Sequence, residues 1–360
     1  MQIETMNIFL KAIGIIYVII NSTIVFGDGT LTSSTSSSSS LYSTPKPILI
    51  IGSTGRVGKE IIKKLKSQGI RTKILVRKED DKILFDNNDD VVIGDVTNFR
   101  SILEATKDVD AVISVAGMKP PRLSKLSDFF THPSKDLSHP YNVNYLGTKN
   151  IVDACKLNGC KKIVRLTGAL TGKPCYLPFV VLFNLILSMS PKWHEASESY
   201  LRQSGINYTC VRPTELKNDD AAKLTDRRLI LIPGDSGKKP PIPGMISIQD
   251  VADLCILSAT DPKFDHSSVI CSSSIRSQDE YEGWTQLSDK LQLKDYKELK
   301  LQKHTLTALL SGFVFLGFAA SILSCIGLAL TKLLAYALRI WPHVLRGILG
   351  WKKVVEYAIF

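Results

Sequence analysis

Short apolar runs alternate with polar, helix-period stretches from residue 47 to residue 275. Ile48–Ile51, Arg71–Val76, Val91–Ile93, Ala111–Val115, Lys162–Thr167, Tyr208–Arg212 and Val269–Cys271 read as strands. Between them, Val57–Ser67, Phe99–Ala105, Tyr141–Leu157 and Ile246–Ala259 carry apolar residues at helical spacing. Strands that take turns with helices predict a parallel sheet covered on both faces. The expected architecture is therefore an α/β, doubly wound Rossmann sheet of about seven strands.

The first run leads into Gly52-Ser-Thr-Gly-Arg-Val-Gly58, a strand, a glycine turn and a helix start. Gly52 permits the tight turn, Gly55 lets backbone approach a pyrophosphate, and Gly58 lets helix and strand pack closely. The helix-start N–H groups, contributed with Ser53, Thr54, Arg56 and Val57, then face the phosphates. The spacing is G-x-x-G-x-x-G, so the flanking strand and helix carry the assignment. Where an NAD-binding chain has an acid after its second strand, this one has Arg77 and Lys78, and Arg56 can approach the same place. Basic residues there suit a 2′-phosphate and favour NADP over NAD; solvated loop charges are the alternative. Asp95 could accept from an adenine amino group, or could simply form an ordinary turn and N-cap ahead of the helix that follows. Ala116 and Gly117 end the fourth strand, where ligands sit in such sheets.

The flanks are of different material. Residues 1–27 hold an apolar run from Ala12 to Gly27, suited to a signal peptide, with an uncleaved anchor as the alternative. Residues 28–46 are a Ser/Thr tract, either a linker or a transit peptide behind the signal peptide. Residues 47–275 form the cofactor domain and 276–303 a Lys-rich helical linker. Thr305–Thr331 contains no charge and would make about 40 Å of helix, enough for a C-terminal transmembrane helix. Amphipathic, interfacial sequence follows it within 304–360. The expected location is a membrane, of the plastid or of the ER, with a small-molecule or membrane-borne substrate, the lipid bilayer and a membrane-protein partner as the expected partners. Cys175–Pro191 is apolar but too broken to span; it reads as a substrate-pocket wall, a membrane contact or a buried crossover.

Composition narrows the chemistry. The net charge of +11 comes in small groups, without the aromatic-laced stripe of a nucleic-acid binder. Anionic lipid and phosphate cofactors use it better. The seven scattered cysteines suggest reduced, buried thiols and no metal site. Cys155 and Cys160, five apart in a helix, are expected to diverge.

Several motifs occur in order: Gly52–Gly58, Gly94-Asp-Val-Thr97, Asn144-Tyr-Leu-Gly-Thr-Lys-Asn150, Ser204-Gly-Ile-Asn-Tyr-Thr209, Val211-Arg-Pro213 and Ile246-Ser-Ile-Gln-Asp-Val-Ala252. Together they resemble the atypical short-chain dehydrogenase/reductases, in their NAD(P)H-binding, NmrA-like branch, over about residues 47–275. The resemblance implies NADP contacts from Gly52 to Gly58, Arg77, Lys78, Asp95, Val96, Ala116, Gly117, Asn144 and Thr167. It also implies hydride transfer, but the family's Tyr-x-x-x-Lys pair is missing between strand five and strand six. Relative to Glu198, the lysine position of atypical members holds His194, and Lys192 lies two residues earlier. Thr167 keeps the hydroxyl that ends strand five. Thr167 and His194 are thus the catalytic candidates, His194 as acid or base or as a simple hydrogen-bonding residue. The expected function is a membrane-anchored NADPH-dependent reductase for an apolar or membrane-borne small molecule. A non-catalytic NADPH-binding sensor or scaffold is the alternative, and an epimerase or dehydratase is disfavoured by the absent tyrosine.

Overall fold

The computed structural model describes residues 46–117, 125, 128, 132–137, 139–218, 227–234, 244–275, 282–291 and 293, with scattered positions between 306 and 336. All belong to one unit, Pro45–Phe360. The N-terminal apolar run and the Ser/Thr tract lie outside the described residues.

Seven strands pair in parallel. They are β1 (Ile48–Ile51), β2 (Thr72–Val76), β3 (Asp90–Ile93), β4 (Ala111–Ser114), β5 (Lys162–Leu166), β6 (Asn207–Pro213) and β10 (Ser267–Ile275). Their order, β3-β2-β1-β4-β5-β6-β10, reverses direction between β1 and β4. A crevice for ligands opens at the carboxyl ends there. The sheet has ten strands rather than about seven. The others are β7 (Glu215–Lys217), β8 (Arg227–Pro233) and β9 (Met245–Ser247), and both β8 and β9 run antiparallel to β10.

Burial on both faces explains the unbroken apolar run of β1. Ile48 and Ile50 pack with Ile61 and Leu65 of α1 (Arg56–Ser67) and with Val251 and Leu254 of α6 (Ile248–Thr260). Leu49 and Ile51 face the other way, toward Ile102 of α2 (Phe99–Ala105), Ile151 of α3 (Gly147–Asn158) and Leu201 of α5 (Ser190–Arg202). The apolar stretch after Cys175 forms α4 (Pro178–Ile186). A π-helical turn, Tyr141–Leu146, opens α3.

Local chemistry sets the ends. The Asp250 N–H donates to Ser247 Oγ at 2.9 Å and starts α6. Gly159, at φ +71°, ends α3, and the Cys160 N–H turns back to donate to the Cys155 carbonyl at 3.0 Å. This reversal corrects the expected divergence of Cys155 and Cys160. Helical spacing stops at Asn158, Cys160 Sγ donates to the Thr106 carbonyl at 3.6 Å, and the neighbouring Cys160 together with burial pushes the Cys155 thiol pKa up.

The core runs past residue 275. In α7 (Trp284–Asp289), Trp284 and Leu287 are buried, and Trp284 Nε1–H donates to the Asp250 carbonyl at 2.8 Å. The expected span at 305–331 falls largely outside the described residues. Among the described residues, no helix is long and apolar enough to cross a membrane. Trp284→Ala should cost the full chain about 3–5 kcal/mol, read as a lower urea midpoint. An unchanged midpoint would mean that α7 adds nothing to the core.

Candidate functional site

The site begins with two close backbone approaches. Gly52 adopts φ +88°, and a Cβ there would lie 2.7 Å from Ala116 N. A Cβ on Gly58 would lie 2.3 Å from the Gly52 carbonyl oxygen. Only glycine fits either place, so the turn, α1 and the end of β4 stack without intervening side chains. Gly55 is the N-cap of α1 and donates its N–H to Gly52 O at 3.0 Å. No side chain caps this helix and no acid stands in its first turn. The opening N–H groups therefore have no intrahelical acceptor and present partial positive charge.

A cavity of about 260 Å³ extends from that helix start. It brings together Gly52, Gly55, Arg56, Val57, Gly58, Ala116, Gly117, Asn144, Thr167 and His194. Leu166, Leu187 and Leu216 add apolar wall.

Six expected residues lie outside this lining. Ser53 is buried and donates to the Leu75 carbonyl at 2.5 Å, tying the turn to β2. Thr54 sits half-buried beside it. Arg77 and Lys78 are exposed at the carboxyl end of β2. Asp95 Oδ1 accepts from the Thr97 N–H at 2.8 Å and its hydroxyl at 2.7 Å in a local turn, while the N-cap of α2 is Asn98, whose side chain accepts from the Ser101 N–H. Val96 packs inward, and its carbonyl accepts from Asn150 at 2.8 Å.

Behind the cavity lies a buried charged cluster. Glu198, on α5, accepts from Arg212 Nη2 at 2.5 Å and Nε at 3.1 Å, and from the Thr167 hydroxyl at 2.7 Å. Burial pushes its carboxyl up, but Arg212, Arg202 and the Thr167 hydroxyl together hold it below the usual carboxylate range. Arg165, on β5, donates through Nη1 to the Ala116 carbonyl at 2.7 Å and to Ser114 Oγ at 3.2 Å. Its Nε and Nη2 are buried without a protein partner. Burial lowers its pKa to about 10, so it remains a cation at neutral pH.

Burial, reinforced by the Arg165 charge, lowers the pKa of His194 to about 3, with Glu198 opposing the shift. The ring is neutral near pH 7. Its Nε2 lies 3.3 Å from Asn144 Nδ2. With the Asn144 amide donating, the ring proton sits on Nδ1, which is buried without a protein partner. Asn144 Oδ1 is likewise buried and unpartnered.

Arg165 was missed in the sequence, and Glu198 served only as a landmark. The signal was a charge inside an apolar strand, Ile163-Val-Arg-Leu166, and again in Val211-Arg-Pro213. A charge in a strand covered on both faces requires a buried partner.

A profile described as NAD(P)H-binding matches residues 52–262. The chain belongs to this NAD(P)H-binding family. Its relatives place it among the atypical short-chain dehydrogenase/reductases. It is 32% identical over 231 residues to an uncharacterised chloroplastic protein of Arabidopsis thaliana, covering 61% of this chain and 68% of that one. It is 27% identical over 235 residues to sanguinarine reductase of Eschscholzia californica, covering 58% and 82%. Identity to Protein TIC 62 of Arabidopsis thaliana, a chloroplastic protein, is 25% over 241 residues, covering 62% and 35%. In fold it resembles a putative NAD-dependent epimerase/dehydratase from Bacillus halodurans, with TM-score 0.50, 19% identity and 64% and 95% coverage.

The geometry of this NAD(P)H-binding chain fits the family's cofactor. The uncapped start of α1 suits a pyrophosphate, and the orphaned atoms of Asn144 and His194 await polar partners at the other end of the cavity.

Gly58→Ala should push α1 off the turn and weaken nicotinamide dinucleotide binding at least about tenfold, about 1.4 kcal/mol. Titration calorimetry on the full chain reads this, and equal affinity would remove the turn from the site. His194 gives a pH signature as well. Its folded pKa lies below the unfolded value, so its contribution is complete above about pH 6.5 and is lost as pH falls toward 3. His194→Gln should flatten the acid limb of stability by up to about 1.4 kcal/mol per pH unit in that window. Parallel wild-type and variant profiles would refute the burial argument.

Proposed function

We propose that this chain is a membrane-anchored, NADP(H)-dependent reductase that passes hydride to an apolar or membrane-borne acceptor. The observation that carries the reading is the single cavity running from the uncapped start of α1 to His194. When bound, the cofactor supplies a hydride from its nicotinamide ring. The start of α1 holds the pyrophosphate by N–H groups and helix dipole. Arg77 and Lys78, with Arg56 beside the turn, meet a 2′-phosphate; Arg56 donates to Asn218 Oδ1 at 2.7 Å and gives up that exposed contact. Asp95 keeps Oδ2 for an adenine amino group while Oδ1 holds Thr97.

The Thr167 hydroxyl donates its hydrogen bond to Glu198, so it offers lone pairs and positions the ring rather than protonating an acceptor. His194 and Arg56 are the titratable side chains in the lining. A neutral His194 donates a hydrogen bond through Nδ1–H and polarises the acceptor without first becoming a cation. Leu166, Leu187 and Leu216 favour an apolar acceptor. The match to sanguinarine reductase over most of its length supports reduction. Anchoring rests on the uncharged Thr305–Thr331 stretch. Plastid delivery is supported by the chloroplastic relatives and the Ser/Thr tract at 28–46, with ER membrane as the other destination.

One observation favours a second reading, a non-catalytic NADPH-binding sensor or scaffold: neither tyrosine nor lysine lines the cavity. Substrate-dependent NADPH oxidation by the purified full chain separates the two, and an inactive chain that binds NADPH would be a sensor. Arg77→Ala combined with Lys78→Ala should weaken NADPH about tenfold, about 1.4 kcal/mol, and leave NADH unchanged. Equal losses for both cofactors would overturn the 2′-phosphate assignment.

A further inference from the structure

Helix α4 buries one side and leaves an apolar stripe on the other. Val180, Val181 and Asn184 face the domain. Phe179, Leu182, Phe183 and Ile186 are 57%, 39%, 40% and 42% exposed, at i, i+3, i+4 and i+7. Tyr176, just before the helix, is 56% exposed. A contiguous apolar patch of this kind marks a contact surface.

Three observations identify the occupant as a lipid bilayer. First, α4 lies beside the start of the uncharged segment: Cys175 Sγ is 3.3 Å from Thr307 Oγ1, and Thr307 is near the beginning of Thr305–Thr331. Second, the sequence around α4 has no acid from Thr167 to His194 and carries Lys173 and Lys192 on either side. An apolar helix between lysines suits the headgroup boundary. Third, Leu299 to Val355 contains no acid, while Lys300, Lys303, Lys332 and Arg339 flank or follow the uncharged stretch. That charge complements anionic headgroups.

We propose that α4 lays its Phe179, Leu182, Phe183 and Ile186 face into the boundary of the bilayer that holds the 305–331 segment. This rests on the membrane-anchored reading and extends it, because α4 runs directly into Leu187 and Ser190, which line the cavity. The cavity mouth then opens at the lipid, and an apolar acceptor enters from the acyl region without crossing water. The substrate class is a membrane-dissolved, apolar molecule with one reducible group.

The test uses the full chain in phosphatidylcholine–phosphatidylglycerol vesicles containing brominated acyl chains, which quench nearby indoles. Phe183→Trp is made in a Trp341→Phe, Trp351→Phe background. Ile83→Trp, in the 89% exposed position after β2, is the control. Flotation with vesicles reports anchoring independently. Docking predicts that the chain floats, that most of the added emission at position 183 is lost, and that the emission at position 83 is kept. A chain that floats while position 183 stays unquenched overturns docking and leaves anchoring intact; a second copy covering the stripe gives this result. A chain that fails to float overturns anchoring and docking together.

Discussion

The site depends on the contact between Gly58 and the Gly52 carbonyl. A helix start can bind phosphate only if its first N–H groups reach the crevice, and α1 reaches it by resting directly on the turn that precedes it. Gly52 makes the same approach on its other side, against the backbone of Val115 and Ala116. Three backbone segments thus stack at van der Waals distance. Their order is dictated by the sheet, since β4 lies beside β1 across the point where the strand order reverses. A methyl group at either glycine separates the layers, whereas a change on the exposed face of α1 does not. Arg165 extends the stack by one more layer, because its guanidinium holds the Ala116 carbonyl from behind.

The charged cluster behind the cavity has a different role. A buried ion pair adds little net stability, because desolvation cancels most of the attraction. What Glu198 and Arg212 supply is position. Glu198 has one fixed location, set by the Arg212 guanidinium, and the Thr167 hydroxyl is oriented by it. Arg165 adds a buried positive charge near His194 and helps keep that ring neutral. The residues expected to do chemistry are therefore governed by residues outside the cavity lining. With neither tyrosine nor lysine in the cavity lining, this arrangement gives His194 a hydrogen-bonding role and withholds easy protonation.

Much of this was legible because local signals agreed with each other. β1 and its glycine turn were read from a run buried on both faces. The bounds of α2, Phe99–Ala105, were read from its spacing. The rest depended on distant partners. β7 and β9 are three residues each and exist only through pairing with strands far along the chain. Cys155 and Cys160 meet because Gly159 reverses the backbone, which helical spacing cannot register. Asp95 carries the residue type of an adenine ligand, yet Thr97, two positions on, already engages one of its oxygens. Arg165 was visible as a misplaced charge, but its acceptor, a backbone carbonyl on another strand, has no sequence signature.

The join between α4 and α5 ties the apolar helix to the chemistry. Ser188 and Met189 take positive φ, 48° and 61°, although neither is glycine, and both are buried. Such a pair is strained and persists only where the surroundings over-determine it. Here the Met189 N–H donates to the Asn184 carbonyl at 3.1 Å, the Ser190 N–H to the Leu187 carbonyl at 2.9 Å, and the Lys192 N–H to Asn184 Oδ1 at 3.3 Å. Asn184 thus grips both sides of the turn from inside α4. A flexible linker would let α4 move on a lipid surface without consequence. A strained, gripped turn does not: a tilt of α4 must be shared by the first turns of α5, which carry His194. The wall of the cavity and its polar end then respond as one body to whatever α4 rests upon, and the strain is the cost of that coupling.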